Sequence, residues 1–168
     1  QWGLFQPKAP DDFTQMNHLE EVMEYQFPIL LNYTNFENKY KHSNLESRLQ
    51  NTYQQNKTLE LTLQTAWTGT GEGNMVYDVL NGEYDEFLKN YAKTLSDFGH
   101  PVLFRLGNEM NGDWCPYSSW NTSKDTMVFK EFYRYVYKIF DDAGAADNVI
   151  WIWNPNGKSF PDFAWNNE

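Results

Sequence analysis

The sequence holds 168 residues, with 13 Lys and Arg against 23 Asp and Glu and a formal net charge of −10. That balance argues against a nucleic acid or an anionic membrane as partner, since both are gripped by Lys and Arg clusters that the chain lacks. The length suits one domain with a substantial core but falls short of the about 250 residues of a typical complete eight-unit α/β barrel.

In chain order, residues 2–6 form a short apolar run stopped by Pro7 and Pro10. Asp11 and Asp12 then offer an N-cap for a helix carrying Phe13, Met16, Leu19, Val22 and Met23 at helical spacing. Residues 27–33, FPILLNY, read as a second strand, buried on both faces. Ser43 with Glu46 three residues on makes a capping box for a helix whose stripe is Leu45, Leu49 and Tyr53. A third strand is predicted over residues 59–67. The TGTGEGN stretch that follows lacks the Lys-Ser/Thr ending of a P-loop and the spacing of a dinucleotide turn, so it reads as a site loop.

Residues 82–98 are predicted as a helix with Tyr84, Phe87, Leu88, Tyr91 and Leu95 inward and Gly99 at its end. A strand begins at Pro101, a helix runs over 125–143, and residues 149–153 form a fifth strand leading into Asn154, Pro155 and Asn156. Strict alternation of strand and helix implies a parallel sheet. A five-stranded doubly wound sheet would fit the length, but the glycine fingerprint expected after its first strand is replaced by LFQPKAP. An α/β barrel of about five parallel strands and four helices, short of closure, is the better reading.

Cys115 is the single cysteine, which excludes an internal disulfide or a cysteine metal cluster. His18, His42 and His100 are scattered, so no metal and no cofactor is expected. No apolar run approaches the roughly 20 residues of a membrane helix, and QWGLFQPKAP lacks the build of a signal peptide. The chain therefore reads as soluble and already processed. Aromatic residues make up 18% of a chain whose mean hydropathy is −0.74, so some rings are available at the surface, where they suit stacking on sugar faces.

The chemistry concentrates in residues 101–114, PVLFRLGNEMNGDW. Val102, Phe104 and Leu106 fall on one face of an extended strand, and Leu103, Arg105, Gly107 and Glu109 on the other. Glu109 at the strand's tip, with Asn108, Asn111, Asp113 and Trp114, supplies an acid, amides and a ring. These are the parts needed to hold and cleave a glycosidic bond. A general acid must keep its proton near neutral pH, above the ordinary Glu value of about 4.3, and an apolar wall such as Trp114 would favour that. Arg105, four residues back and roughly 13 Å deeper by strand rise, needs an acidic partner in the interior.

RLGNEMNGDWCPY closely resembles the acid/base segment of the retaining glycoside hydrolases of family 26, chiefly β-mannanases. Upstream of it, NGEYDEF resembles that family's helix start, and NVIWIWNPN resembles its fifth strand. The resemblance implies a (β/α)8 TIM barrel, of which residues 1–168 are the amino-terminal portion, strands one to five. It implies Glu109 as general acid/base, Arg105 as the buried arginine, Trp114 as a sugar-stacking ring and Trp153 as an aromatic flanking the cleavage point. Trp67 and Asn108 are implied in substrate binding, with Asn111 supporting the site. Asn108 stands where mannanases carry His and matches the Asn-Glu pair of the wider clan, while Thr68 stands where a sugar-contacting His is expected. The implied reaction is retaining endo-hydrolysis of a β-linked neutral polysaccharide, β-1,4-mannan foremost, with mixed-linkage β-glucan or xylan as alternatives. A secreted or cell-surface protein is expected. The nucleophile, a Glu of strand seven in the family, falls beyond residue 168, so the isolated span is expected to be inactive and to need the carboxy-terminal barrel half or to self-associate. A non-catalytic carbohydrate-binding protein on the same scaffold is the alternative.

Overall fold

The computed structural model describes residues 2–36, 38–66 and 73–157. Its elements run β1 (Gly3–Phe5), α1 (Thr14–Met23), β2 (Ile29–Asn35), α2 (Leu45–Gln54), β3 (Thr58–Gln64), α3 (Met75–Leu80), α4 (Asp85–Phe98), β4 (Val102–Leu106), α5 (Met127–Asp142) and β5 (Val149–Trp151). The five strands form one parallel sheet in chain order. Right-handed crossovers that always step in one direction put the helices on one face, whereas a doubly wound sheet reverses its order. The order is that of a barrel wall, and the doubly wound alternative is set aside.

The period of two sorts each strand between helix layer and barrel interior. Leu30, Leu61, Leu63, Val102, Phe104 and Leu106 lie on the helix side and are buried. Phe104 meets the rings of Tyr91, Phe140 and Trp151 at centroid distances of 6.0, 4.7 and 4.9 Å. On the interior side, Thr62 and Arg105 are buried, but Phe5, Tyr33 and Ile150 of β1, β2 and β5 are 48, 36 and 52% exposed. The expectation that strands are covered on both faces therefore holds for β4 and fails toward β1 and β5, the sheet's two edges.

The helices follow their apolar stripes. Phe87, Leu88, Tyr91, Ala92 and Leu95 of α4 pack beside Phe129, Phe132, Val136, Ile139 and Phe140 of α5. Gly99 ends α4 at φ 69°, the left-handed turn expected of it. The described residues hold five α-helices rather than four, because the short MVYDVL segment forms α3, capped by Asn74 Oδ1 accepting the Val76 N–H at 3.1 Å. Its six residues are too few for periodicity to reveal. Helix α2 starts at Leu45 with Asn44 in the capping position, one residue beyond the expected Ser43. Strand β3 stops at Gln64 and β5 at Trp151, short of Trp67 and Trp153.

At the amino ends of the strands, the buried Lys57 places Nζ 2.6 Å from Glu20 Oε1 and donates to the Phe27 carbonyl at 3.0 Å. Glu20 Oε1 also accepts the Phe27 N–H at 2.7 Å. This ion pair ties α1 to the entries of β2 and β3, at the end of the sheet opposite Glu109. No helix of the described residues is long and apolar enough to cross a membrane.

Candidate active site

Sheet geometry ends at Leu106, and the chain then makes a tight left-handed turn. Gly107 has φ 58° and Glu109 φ 55°. A Cβ at Gly107 would meet the Tyr117 ring at 2.7 Å, so both the backbone and the close ring require glycine there. Glu109 adopts the same region with a side chain, at a cost of roughly 1–2 kcal/mol. Surrounding bonds hold it there. Its N–H donates to the Asn154 carbonyl at 2.8 Å and its carbonyl accepts the Gly112 N–H at 3.0 Å. The extended geometry behind a 13 Å spacing from Arg105 is thus replaced by a turn.

The Glu109 side chain is half-buried, and its Oε2 accepts the Trp114 Nε1–H at 2.9 Å. The Trp114 ring, 47% exposed, lies over Gly112, where an added Cβ would come within 2.4 Å of it. The indole thus meets the carboxylate through its N–H rather than as an apolar wall. One oxygen is engaged, and Oε1 accepts no hydrogen bond from the described residues.

Asn108 is held by two side chains. Gln64 Nε2 donates to its Oδ1 at 2.6 Å, and the buried Tyr117 hydroxyl stands 2.9 Å from Oδ1 and 2.8 Å from its carbonyl. That hydroxyl also accepts the Asn108 N–H at 3.0 Å. Burial pushes the Tyr117 hydroxyl above its ordinary pKa, which favours the neutral phenol. Burial likewise pushes the Cys115 thiol up, and its Sγ lies 3.5 Å from the Asn108 carbonyl as a packing group.

Beneath the turn, the buried Arg105 donates from Nε to Thr62 Oγ1 and from Nη1 to Asn154 Oδ1, both at 2.8 Å. Its acidic partner is Glu60, 3.6 Å from Nη1, and Nη2 reaches the Tyr33 hydroxyl at 3.4 Å. Asn154 is the joint of the site, taking Arg105 on its side chain and Glu109 on its carbonyl. Asn111 and Asn156 close the same seam: Asn111 Nδ2 donates to the Asn156 carbonyl at 2.9 Å, and the Asn156 N–H donates back to Asn111 Oδ1 at 2.7 Å.

Glu109, Asn108, Arg105, Asn111 and Trp114 are thus gathered at the carboxyl ends of β3, β4 and β5. Trp153 is 56% exposed and packs edge-on against Phe129 and Tyr133 of α5, at 5.9 and 5.2 Å. Trp67 lies outside the described residues. Sequence reasoning missed Gln64, Tyr117 and Asn154 as site residues. For Gln64 a signal existed: Glu60, Thr62 and Gln64 alternate along β3 as a polar stripe on the interior face. Among the described residues no group of three His, Cys, Asp or Glu could hold a metal ion.

The family model for Glycosyl hydrolase family 26 matches residues 68–166. A β-1,3-xylanase, TXYA, of a Vibrio species is 29% identical over 85 residues, covering 51% of this chain and 17% of the relative. A mannan endo-1,4-β-mannosidase of Bacillus subtilis strain 168 is 33% identical over 66 residues, covering 37% of this chain and 18% of the relative. The solved structure of Bacillus subtilis mannanase man26 superposes with a TM-score of 0.69 at 16% identity, covering 91% of this chain and 55% of that one. The chain thus spans about half of the solved barrel.

Proposed function

The chain belongs to glycosyl hydrolase family 26, and from that premise we propose that it carries the acid/base half of a retaining endo-glycosidase for a β-linked neutral polysaccharide. Glu109 is the general acid and later the general base. In the first step its Oε1 gives a proton to the leaving glycosidic oxygen. In the second, the same carboxylate takes a proton from the water that releases the sugar. The observation that carries this reading is a carboxylate held in a left-handed turn at a strand's end, with one oxygen bonded to Trp114 Nε1. Such strain is kept where surrounding bonds fix a working geometry.

A retaining mechanism needs a second carboxylate about 5 to 5.5 Å away, to attack the sugar carbon and form the covalent intermediate. We place that nucleophile in the part of the barrel that residues 1–168 do not include, as the 55% coverage of the solved relative suggests. The same missing wall would cover the exposed side chains of Phe5, Tyr33 and Ile150, and without it the span should self-associate or stay inactive. Asn108 binds a sugar hydroxyl, and the exposed faces of Trp114 and Trp153 act as stacking platforms. β-1,4-Mannan is the first substrate to test, supported by the mannosidase relative. Xylan follows from the xylanase relative, and mixed-linkage glucan is the third. A polymer too large to enter a cell implies a secreted or cell-surface protein.

The test is Glu109→Gln in the full-length protein. Turnover of polysaccharide should collapse with folding intact, while the first step on an activated aryl glycoside, whose leaving group needs little protonation, should suffer far less. Equal losses on both would remove the acid role. Glycan binding with no wild-type turnover would favour the non-catalytic alternative.

A further inference from the structure

Asn108 has a feature that the acid/base reading does not use: every acceptor it owns is occupied from within the protein. Its Oδ1 receives Gln64 Nε2 at 2.6 Å and faces the Tyr117 hydroxyl at 2.9 Å, and its carbonyl faces the same hydroxyl at 2.8 Å. Its N–H donates to that hydroxyl at 3.0 Å. The two Nδ2 protons have no partner among the described residues. An amide whose oxygen is pinned on one side presents its NH2 on the other, since the group is planar.

We infer that Gln64 and Tyr117 are positioning residues that fix which end of the Asn108 amide meets the substrate. They make the site selective for sugars with a hydroxyl oxygen beside the reacting carbon. The inference rests on Glu109 and Asn108 facing the bond to be cut. Tyr117 anchors both the backbone and the side chain of Asn108, and its ring lies on Gly107, so the turn and the amide are set by one residue. Gln64 comes from the end of β3, 44 residues earlier, and supplies the second donor to Oδ1. A donor held in place beforehand reorganises little in the transition state, and a site built to donate to a hydroxyl discriminates strongly against the analogue that lacks it.

The experiment uses the full-length protein and a matched pair of aryl β-glycosides, in manno and gluco forms, with and without the hydroxyl next to the reacting carbon. The readout is the ratio of kcat/KM between the two. Asn108→Ala should lower that ratio, and Gln64→Leu and Tyr117→Phe should each lower it about ten- to hundred-fold, the range expected for one lost hydrogen-bond partner. Neither should add to Asn108→Ala in the double variants. Gln64→Glu sharpens the test, because an ionised carboxylate cannot donate to Oδ1 and should turn the amide round. Its activity relative to wild type should recover as pH falls and the new carboxyl gains a proton to donate. Thermal melts separate misfolding from mispositioning, and Gln64→Leu keeps the test open if Tyr117→Phe fails to fold.

Equal slowing of both substrates in the folded variants, or additive losses with Asn108→Ala, would overturn the inference. Undiminished selectivity in Gln64→Glu at neutral pH would overturn it too, since that means the amides face the other way. A wild-type protein that cleaves neither the glycosides nor any of the three polysaccharides would instead refute the glycosidase reading itself.

Discussion

Replacing Gly107 by alanine tests the turn that carries Asn108 and Glu109, and Gly99 provides the internal standard. Both glycines lie in the left-handed region, at φ 58° and 69°. A Cβ at Gly99 would meet nothing within 4 Å, whereas one at Gly107 would stand 2.7 and 2.8 Å from two carbons of the Tyr117 ring. Gly99→Ala should therefore cost only the backbone term, roughly 1–2 kcal/mol. Gly107→Ala adds an overpacking term of about 1–3 kcal/mol, because Tyr117 is buried and packed near Phe129 at 6.5 Å with little room to retreat. The assay is denaturant unfolding of the full-length protein with unchanged slope, run beside kcat/KM. Gly99→Ala should leave activity intact, while Gly107→Ala should lower it, because the displaced ring carries the hydroxyl that holds Asn108. Equal destabilisation by the two substitutions, or full activity in Gly107→Ala, would show that Tyr117 does not sit where the turn needs it.

Lys57→Met should destabilise by about 3–5 kcal/mol in denaturant melts, because it leaves the Glu20 carboxylate buried without its cation, with activity per folded molecule unchanged. Stability should also fall at alkaline pH. The Cys115 thiol and Tyr117 hydroxyl are both raised by burial, so the folded state holds their protons longer than the unfolded chain does. Their contribution is complete below the ordinary thiol value of about 8.5 and is lost as pH climbs beyond it. Unfolding midpoints across pH 7 to 11 should show a shallower decline in Tyr117→Phe than in wild type. Trp114→Phe keeps a ring over Gly112 and removes the bond to Glu109 Oε2, so kcat should fall more than KM rises. Trp114→Ala should move both.

Much of the scaffold is legible in the sequence because it rests on local periodicity. The stripes of α4 and α5 and the alternation around Phe104 depend on residues within a few positions of each other. The acid at the end of β4, the buried arginine below it and the need for an acidic partner were also readable, and that partner is Glu60. What sequence reading missed is set by contacts across long separations. Tyr117 reaches back to Gly107 and Asn108, Gln64 arrives from another strand, and Asn154 ties Arg105 to Glu109 through one side chain and one carbonyl. The left-handed φ of Glu109 runs against the residue's own preference, so no propensity announces it. The capping residue of α2 fell one position from Ser43, since helix ends answer to tertiary packing as well as to their own signals.

The most direct measurement of the acid/base role is chemical rescue of Glu109→Ala in the full-length protein, with an activated aryl β-glycoside and added azide. Removing the base should leave the glycosyl-enzyme waiting for water. Azide needs no base to attack, so it should restore turnover and yield a glycosyl azide with the configuration of the substrate. No rescue in a folded variant, or an azide product of inverted configuration, would contradict Glu109 as the acid/base of a retaining enzyme.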